Sequence, residues 1–419
     1  MTTIHEPLRV IHFSDFHLGV DTHGPKDPET SLNGRILDFL DSLDALIDFA
    51  YSEDVDLVIF AGDAFHKHSP DPTLLDLFAA RIVRLAGQCP VVLLVGNHDI
   101  PGNIDKSSAL DIFDTLDVPN VIVGMNYEIH NIQTKRGMVQ VATAPFPLKS
   151  MFLDVDEMKS KDSGMLFKEA IESELHNLAT QIDTNYPAIL TGHFSVNLAV
   201  FGSERDMYIG NDAEVNLESL VDPAWDYVAL GHIHYHQCLN AIMPELGEFA
   251  PVVYAGSLDR VDFTEEKDDK GFVYIEISDN GTTWEHVLVD ARPFKTIKVV
   301  VKDDEKAQKK IISKINKLDL QGAIVRLQIV VPYYQENTIE RQHITEELEK
   351  AGVYYIHSIS VKLSDAEHRV SRINVGDSVA SLSHLDLVKL QLGSEGLSDK
   401  KITSLLELAS DIMAEVVEK

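Results

Sequence analysis

Three short apolar runs, each bounded by polar residues or glycine, punctuate the N-terminal part of the chain: LRVIHFS (8–14), VDLVIFA (55–61) and PVVLLVG (90–96). Runs this short and this continuous predict strands buried on both faces. Between the first two, Ile36, Leu40, Leu43, Ile47 and Ala50 fall at helical spacing. Between the second and third, the pattern predicts a helix with Asp71 as N-cap, Pro72 at its first position and Gly87 just past its end. Strand, helix, strand, helix, strand implies a parallel sheet whose functional residues lie at the carboxyl ends of the strands.

Past residue 135 the strands lose most of their intervening helices. Segments 137–143, 187–191, 226–230, 251–255, 271–277 and 283–289 read as strands, with one helix near 164–180. A mixed sandwich of two sheets with outer helices would hold them. After a break at Arg292-Pro293, FKTIKVVVK alternates with Ile297, Val299 and Val301 on one face, and a helix follows through Ala307, Ile311, Ile315 and Leu318. AIVRLQIVV (323–331), a weaker helix over 338–350 and a strand over 353–362 complete a small α+β unit. Two amphipathic helices, near 378–392 and from Ser398 onward, close the chain. The expected division is a main domain over 1–292, an α+β domain over 293–372 and a helical tail over 373–419.

Composition narrows the picture. The chain has 419 residues, 44% of them hydrophobic and 25% charged, as in ordinary globular proteins. No run approaches the roughly 18–20 apolar residues of a membrane span, and MTTIHEPLRVIHFSDFH lacks a basic region followed by an apolar one. Two cysteines, Cys89 and Cys238, make no disulfide framework, so a cytoplasmic protein with no membrane partner is expected. The net charge of −31 weighs against nucleic-acid binding. That acid is concentrated before residue 294, because residues 294–372 hold 14 Lys/Arg against 11 Asp/Glu.

Five motifs stand at or just past predicted strand ends: Asp15 and His17 in SDFHLG, Asp63 in AGDAFH, Asn97 and His98 in GNHD, His193 in TGHFS, and His232 and His234 in GHIH. Taken singly, each has an ordinary reading: Asp15 or Asp63 as a loop or capping aspartate, Asn97 as a turn residue, His17 as a surface histidine. As a set they offer carboxylate, amide and imidazole donors, which suit Mn, Fe or Zn better than Ca or Mg. Seven protein ligands are too many for one catalytic ion and fit two ions sharing a carboxylate, roughly 3.5–4 Å apart and able to clamp a phosphoryl group. His12, inside a strand, reads as a core histidine, His236 as a residue of a solvated loop, and Cys238 as packing.

The order D-x-H, G-D, G-N-H-D, G-H, G-H-x-H resembles the calcineurin-like metallophosphoesterases. The resemblance implies a four-layer α/β fold, two mixed sheets flanked by helices. It places Asp15, His17, Asp63 and His234 around one divalent ion and Asp63, Asn97, His193 and His232 around the other, with manganese the expected metal. His98 is then a catalytic group that faces the scissile phosphate rather than a ligand, and Asp99 is expected to orient its imidazole.

Further features resemble the SbcD-type repair nucleases. His66 follows Asp63 by three residues, and in those nucleases the corresponding histidine lies beside the active site and helps handle DNA. GSERDMYIGNDAEV (202–215) and VVYAGSLDR (252–260) resemble the SbcD pattern, although Asp259 and Arg260 depart from it. A place for Arg260 at the phosphate backbone is an expectation only. The segment after residue 293 resembles the SbcD cap, and the tail resembles the part that docks on an SMC-like, SbcC-type ATPase. The resemblance implies a metal-dependent DNA exonuclease, also an endonuclease, that forms a homodimer through helix 71–86 and segment 107–115 within a heterotetramer. A small-molecule phosphodiesterase or phosphatase of the same superfamily is the alternative, and a non-enzymatic scaffold is disfavoured by the complete ligand set.

Overall fold

The structure, a computed structural model, describes residues 6–101, 107–202, 214–242 and 249–364, together with Leu405, Leu406 and Leu408. Most of the 202–215 stretch and nearly all of the tail over 373–419 therefore lie outside the described residues.

The chain begins as predicted, with β1 (Leu8–Phe13), α1 (Gly34–Ser52), β2 (Leu57–Phe60), α2 (Pro72–Ala86) and β3 (Val91–Leu94), and continues with α3 (Asp111–Thr115) and β4 (Val121–Gly124). Asp71 caps α2 by accepting from the Thr73 amide, with Pro72 opening the helix. Strands β1 to β4 run parallel, each beside the next. There follow β5 (Glu128–Thr134), β6 (Gly137–Ala144), α4 (Lys149–Phe152), α5 (Val155–Met158), α6 (Ser163–Thr180), β7 (Ala188–His193), β8 (Tyr227–Gly231), β9 (Gln237–Cys238), β10 (Val252–Tyr254), β11 (Gly271–Ser278) and β12 (Gly281–Leu288). The first sheet has the order β12-β11-β1-β2-β3-β4 and the second β5-β6-β7-β8-β10-β9.

Alternation along the strands builds the layers. Val10, Leu57, Ile59 and Val92 meet Val141, Ile189, Tyr227 and Val253 between the sheets. Their neighbours Ile11, Phe13, Val58, Phe60 and Leu93 pack with Phe39, Leu43 and Ile47 of α1 and Phe78 and Ile82 of α2. On the far side, Ala188, Leu190 and Val228 pack with Phe167, Ile171 and Leu175 of α6. Both faces of each central strand are thus apolar, which is why these segments read as unbroken hydrophobic runs. The result is four layers: helices, sheet, sheet, helices.

Strands β4 and β5 are absent from the sequence-based expectation. Each lies at a sheet edge with most residues exposed or half-exposed, so neither shows a strong apolar pattern. His12 is fully buried with Nδ1 3.2 Å from the Tyr227 hydroxyl. His236 does not sit on a solvated loop: it is half-buried, stacks on His286 with centroids 3.9 Å apart, and has Nδ1 3.0 Å from the Tyr254 carbonyl oxygen.

The chain divides into two compact units: one of Met1–Thr296, Leu320–Val325 and Gly352–His357, the other of Ile297–Asp319, Arg326–Ala351 and Ser358–Lys419. The elements after residue 293 are β13 (Phe294–Val300), α7 (Ala307–Ile315), β14 (Ile324–Val331), α8 (Arg341–Lys350) and β15 (Tyr355–Leu363), with sheet order β13-β14-β15. In the second unit Ile311, Ile315, Leu327, Ile329, Ile344 and Leu348 are buried. Among the described residues no helix is long and apolar enough to cross a membrane.

Candidate metal centre

The loops that leave β1, β2 and β3 in one sheet, and the ends of β7 and β8 in the other, bring all seven predicted ligands together. The backbone is bent to this end. Asp15, His17, Asp63 and His232 have φ of 52°, 45°, 63° and 94°, in the left-handed region that non-glycine residues avoid. Such conformations cost of order 1–3 kcal/mol each and cluster at functional sites. The motif glycines have a steric reason. A Cβ on Gly62, itself at φ +100°, would lie 2.4 Å from Nδ1 of His193, and one on Gly96 would lie 2.2 Å from Oδ1 of Asp63.

Asp63 is central. Its Oδ2 is 3.7 Å from Nε2 of His17 and 3.4 Å from Nε2 of His193. On the first side, Nε2 of His17 lies 2.9 Å from Nε2 of His234. On the second, Oδ1 of Asn97 lies 3.0 Å from Nε2 of His193 and 2.9 Å from Nδ1 of His232. Asp15 accepts the His232 backbone N–H at 3.0 and 3.1 Å through its two oxygens. Asp15, His17 and His234 form one buried donor group, and Asp15, Asp63 and His193 a second.

This packing fits divalent ions. Nδ1 of His193 donates to the Ala61 carbonyl at 2.7 Å, which leaves Nε2 as a lone-pair atom against two acceptor oxygens. Lone pairs brought this close call for a cation among them. Burial opposes a charge on His193, yet Asp63 and Asp15 push it up to about 9, so a metal ion at Nε2 displaces a proton that these carboxylates otherwise hold there.

His234 is oriented from behind, and sequence reading missed the residues that do it. Oε1 of Glu265 accepts from Nδ1 of His234 at 2.7 Å, so Nε2 keeps its lone pair for a metal. Oε2 of Glu265 is 3.0 Å from the Lys270 ammonium, which also donates to the His234 carbonyl at 3.0 Å and to Ser257 Oγ at 2.8 Å. Glu265 and Lys270 are buried. In sequence, TEEKDDK (264–270) reads as a solvated charged turn.

His98 lies beside this group. Its backbone N–H donates to Oδ1 of Asp63 at 2.8 Å, and its Nδ1 donates to the His66 carbonyl at 3.0 Å. Asp99 is therefore not its orienting partner. Oδ2 of Asp99 accepts from the amides of Asp63 at 2.9 Å and Gly96 at 3.0 Å, and Oδ1 from the amide of Ala64 at 3.0 Å. The sharp turn after β2 points its amides inward, and a buried anion satisfies them. Asp99 clamps the two loops and does not touch the imidazole. The ring of His66 stacks over that of His98 at 6.0 Å. A cleft of about 430 Å³ opens here, lined by His66, Lys67, His68, Ser69, Asn97, His98 and Ile100.

Arg260 is committed to structure. Its guanidinium donates to the carbonyls of Ala291 at 2.9 Å, Arg292 at 3.3 Å, Asp268 at 2.7 Å and Glu265 at 3.3 Å. Asp259 is buried against Arg35 at 2.9 Å and Ser42 at 2.8 Å. The expectation of Arg260 at a phosphate backbone gives way to a role in pinning the Glu265 loop.

Comparison with known proteins agrees with this geometry. The chain is similar to the SbcD subunit of nuclease SbcCD from Staphylococcus epidermidis, with 25% identity over 306 residues, covering 71% of this chain and 73% of that one. The Escherichia coli K12 protein of the same name is 28% identical over 291 residues, covering 65% and 66%, and that of Bacillus subtilis 25% over 294 residues, covering 68% and 70%. A solved dimetal phosphatase from Danio rerio aligns at a TM-score of 0.41 and 11% identity, over 67% of this chain and 96% of that one; a likeness this loose carries no weight here. A family profile described as Calcineurin-like phosphoesterase matches residues 8–236, more than half the chain and every motif from Asp15 to His234. The chain belongs to the calcineurin-like phosphoesterase family.

Proposed function

We propose that this protein is a two-metal phosphodiesterase that hydrolyses DNA, as exonuclease and endonuclease, and is the nuclease subunit of an SbcCD-like complex with an SMC-type ATPase. The observation that carries the hydrolase reading is the convergence of His17, His234, His193, His232, Asn97 and Asp15 on Asp63, with His98 at the adjoining cleft. The similarity to SbcD proteins over about two-thirds of the chain supports the nuclease reading.

In this reading Asp15, His17, Asp63 and His234 hold one ion and Asp63, Asn97, His193 and His232 the other, with manganese the expected metal. Two such ions supply Lewis acidity and a template for in-line attack on a phosphoryl group. The chain's own groups do the rest. Glu265 keeps the His234 tautomer fixed. His98, with Nδ1 committed to the His66 carbonyl, presents Nε2 to the cleft, where it stabilises developing charge or gives a proton to the leaving oxygen. His66, at the cleft wall, handles the nucleic acid.

The assembly reading has support in the exposed apolar residues Val83 on α2 and Ile112 and Leu116 at α3, which suit a dimer interface. The proposed ATPase-docking tail lies outside the described residues. In the second unit, Lys306, Lys309 and Lys317 line a cleft of about 660 Å³ with His343, a cationic surface suited to phosphates in an otherwise acidic chain.

The net charge of −31 favours a second reading, a small-molecule phosphodiesterase. Manganese-dependent digestion of end-labelled duplex and single-stranded DNA, with and without the ATPase and with Asp63→Ala as blank, separates the two. Cleavage absent from the blank supports the nuclease. Hydrolysis of bis-p-nitrophenyl phosphate without any DNA cleavage leaves the small-molecule reading.

A further inference from the structure

We propose that His17, His66 and His98 form a third divalent-cation position at the rim of the metal pair, selective for zinc, whose occupation switches the enzyme off. The proposal rests on His98 being the group that acts on substrate, and goes beyond it.

One ring nitrogen from each of the three histidines lies within 4.8 Å of the others. His66 and His98 are near-parallel, with planes 23° apart, and His98 meets His17 edge-on with centroids at 4.7 Å. Two of these rings carry a nitrogen without a task. Nδ1 of His17, a residue only 2% exposed, has no hydrogen-bond partner, and neither has Nδ1 of His66. An imidazole buried with a bare nitrogen is costly unless something is bound there. Nε2 of His17 is already turned toward His234 and Asp63, so the ring serves the rim through Nδ1, giving up its remaining N–H proton to solvent and bridging the two positions as an imidazolate. Nδ1 of His98 is held by the His66 carbonyl, which leaves Nε2 as its metal-binding atom.

The donor chemistry sets the selectivity. The metal pair offers carboxylate and amide oxygens as well as imidazoles, whereas the rim offers imidazole alone. Imidazole suits zinc and copper, and affinity rises from manganese toward copper along the first-row series. The all-imidazole rim thus favours zinc over manganese more strongly than the mixed pair does, so manganese leaves the rim open and zinc fills it. An ion on Nε2 of His98 takes the lone pair on which proton transfer depends, so the cleft that binds substrate also holds the switch. His66 and His98 both line that cleft, which gives the ion an entry path.

The test uses the full-length, manganese-loaded protein titrated with zinc chloride. Total bound metal per chain is measured by mass spectrometry after gel filtration, and bis-p-nitrophenyl phosphate hydrolysis is followed in parallel. Wild type is expected to take up one more ion per chain than His66→Ala and to lose activity by roughly tenfold or more. His66→Ala should keep most of its own manganese-supported activity at the same zinc concentration. Its unchanged content of pair metal shows that the fold is intact. Equal total uptake by the two proteins, or equal fractional inhibition, overturns the proposal. The readout is the difference between wild type and variant and involves no DNA, so it stands apart from the nuclease reading: a failure to cut DNA leaves it untouched.

Discussion

Oε1 of Glu265 lies 2.7 Å from Nδ1 of His234, and Lys270 closes on the other oxygen of the same carboxylate at 3.0 Å. The three form a buried chain, ammonium to carboxylate to imidazole, that ends at the proposed metal pair. Glu265 is held well below the usual carboxylate range: burial alone would raise it, but Lys270 and then His234 outweigh that.

Glu265→Gln should therefore weaken manganese binding by about 10–100-fold, the usual cost of removing a partner that orients a ligating histidine. It also strands Lys270, at a stability cost of about 3–5 kcal/mol. The double variant Glu265→Gln/Lys270→Met should recover stability in urea denaturation without recovering manganese affinity in calorimetry. Full affinity in the double variant would show that Glu265 acts on the fold alone.

Asp63→Ala should bind neither ion, since Oδ2 of Asp63 faces histidines of both groups. Metal analysis after gel filtration that still finds both ions would refute the shared carboxylate.

His98→Ala should keep both ions and lose cleavage by at least about 100-fold. Its side chain donates to a backbone carbonyl rather than to any member of the metal group, so a normal metal content with lost turnover is the expected split. Retained turnover would remove His98 from the chemistry.

Arg260→Met should lower stability, because four carbonyls lose their donor. It should leave the salt dependence of DNA binding unchanged. Each phosphate contact contributes about 0.9 to the slope of log K against log salt, so a slope reduced by that amount would return Arg260 to the phosphate backbone.

Burial pushes the His12 imidazole down from 6.5 to about 3. In the unfolded chain it regains its ordinary value, so between these limits the unfolded state holds a proton that the folded state lacks. Stability contributed by neutral His12 is therefore present above about pH 6.5 and is lost as pH falls toward 3, at up to about 1.4 kcal/mol per pH unit. Denaturation of the metal-free protein between pH 7 and 4 should show a slope steeper by up to one proton than that of His12→Gln. Equal slopes would assign the acid sensitivity to other groups.

The sequence by itself determined the layered core and singled out the residues that the fold brings together. Runs such as VDLVIFA and PVVLLVG carry apolar residues on both faces, a local property that survives without knowledge of the neighbours. The motif residues sit where those runs end, so Asp15, Asp63, Asn97 and His193 were legible as a set. Edge strands β4 and β5 were not, because exposure leaves them without an apolar signature. Only the tertiary structure decided the partners of the charged and polar groups. Asp99 turned from the adjacent His98 to three amides, two of them on another loop, Arg260 turned inward to carbonyls, and Glu265 and Lys270 left an apparently solvated turn for the base of a ligand. A hydrophobic strand announces its burial through its own composition, whereas a hydrogen bond depends on which distant atom the fold brings within reach.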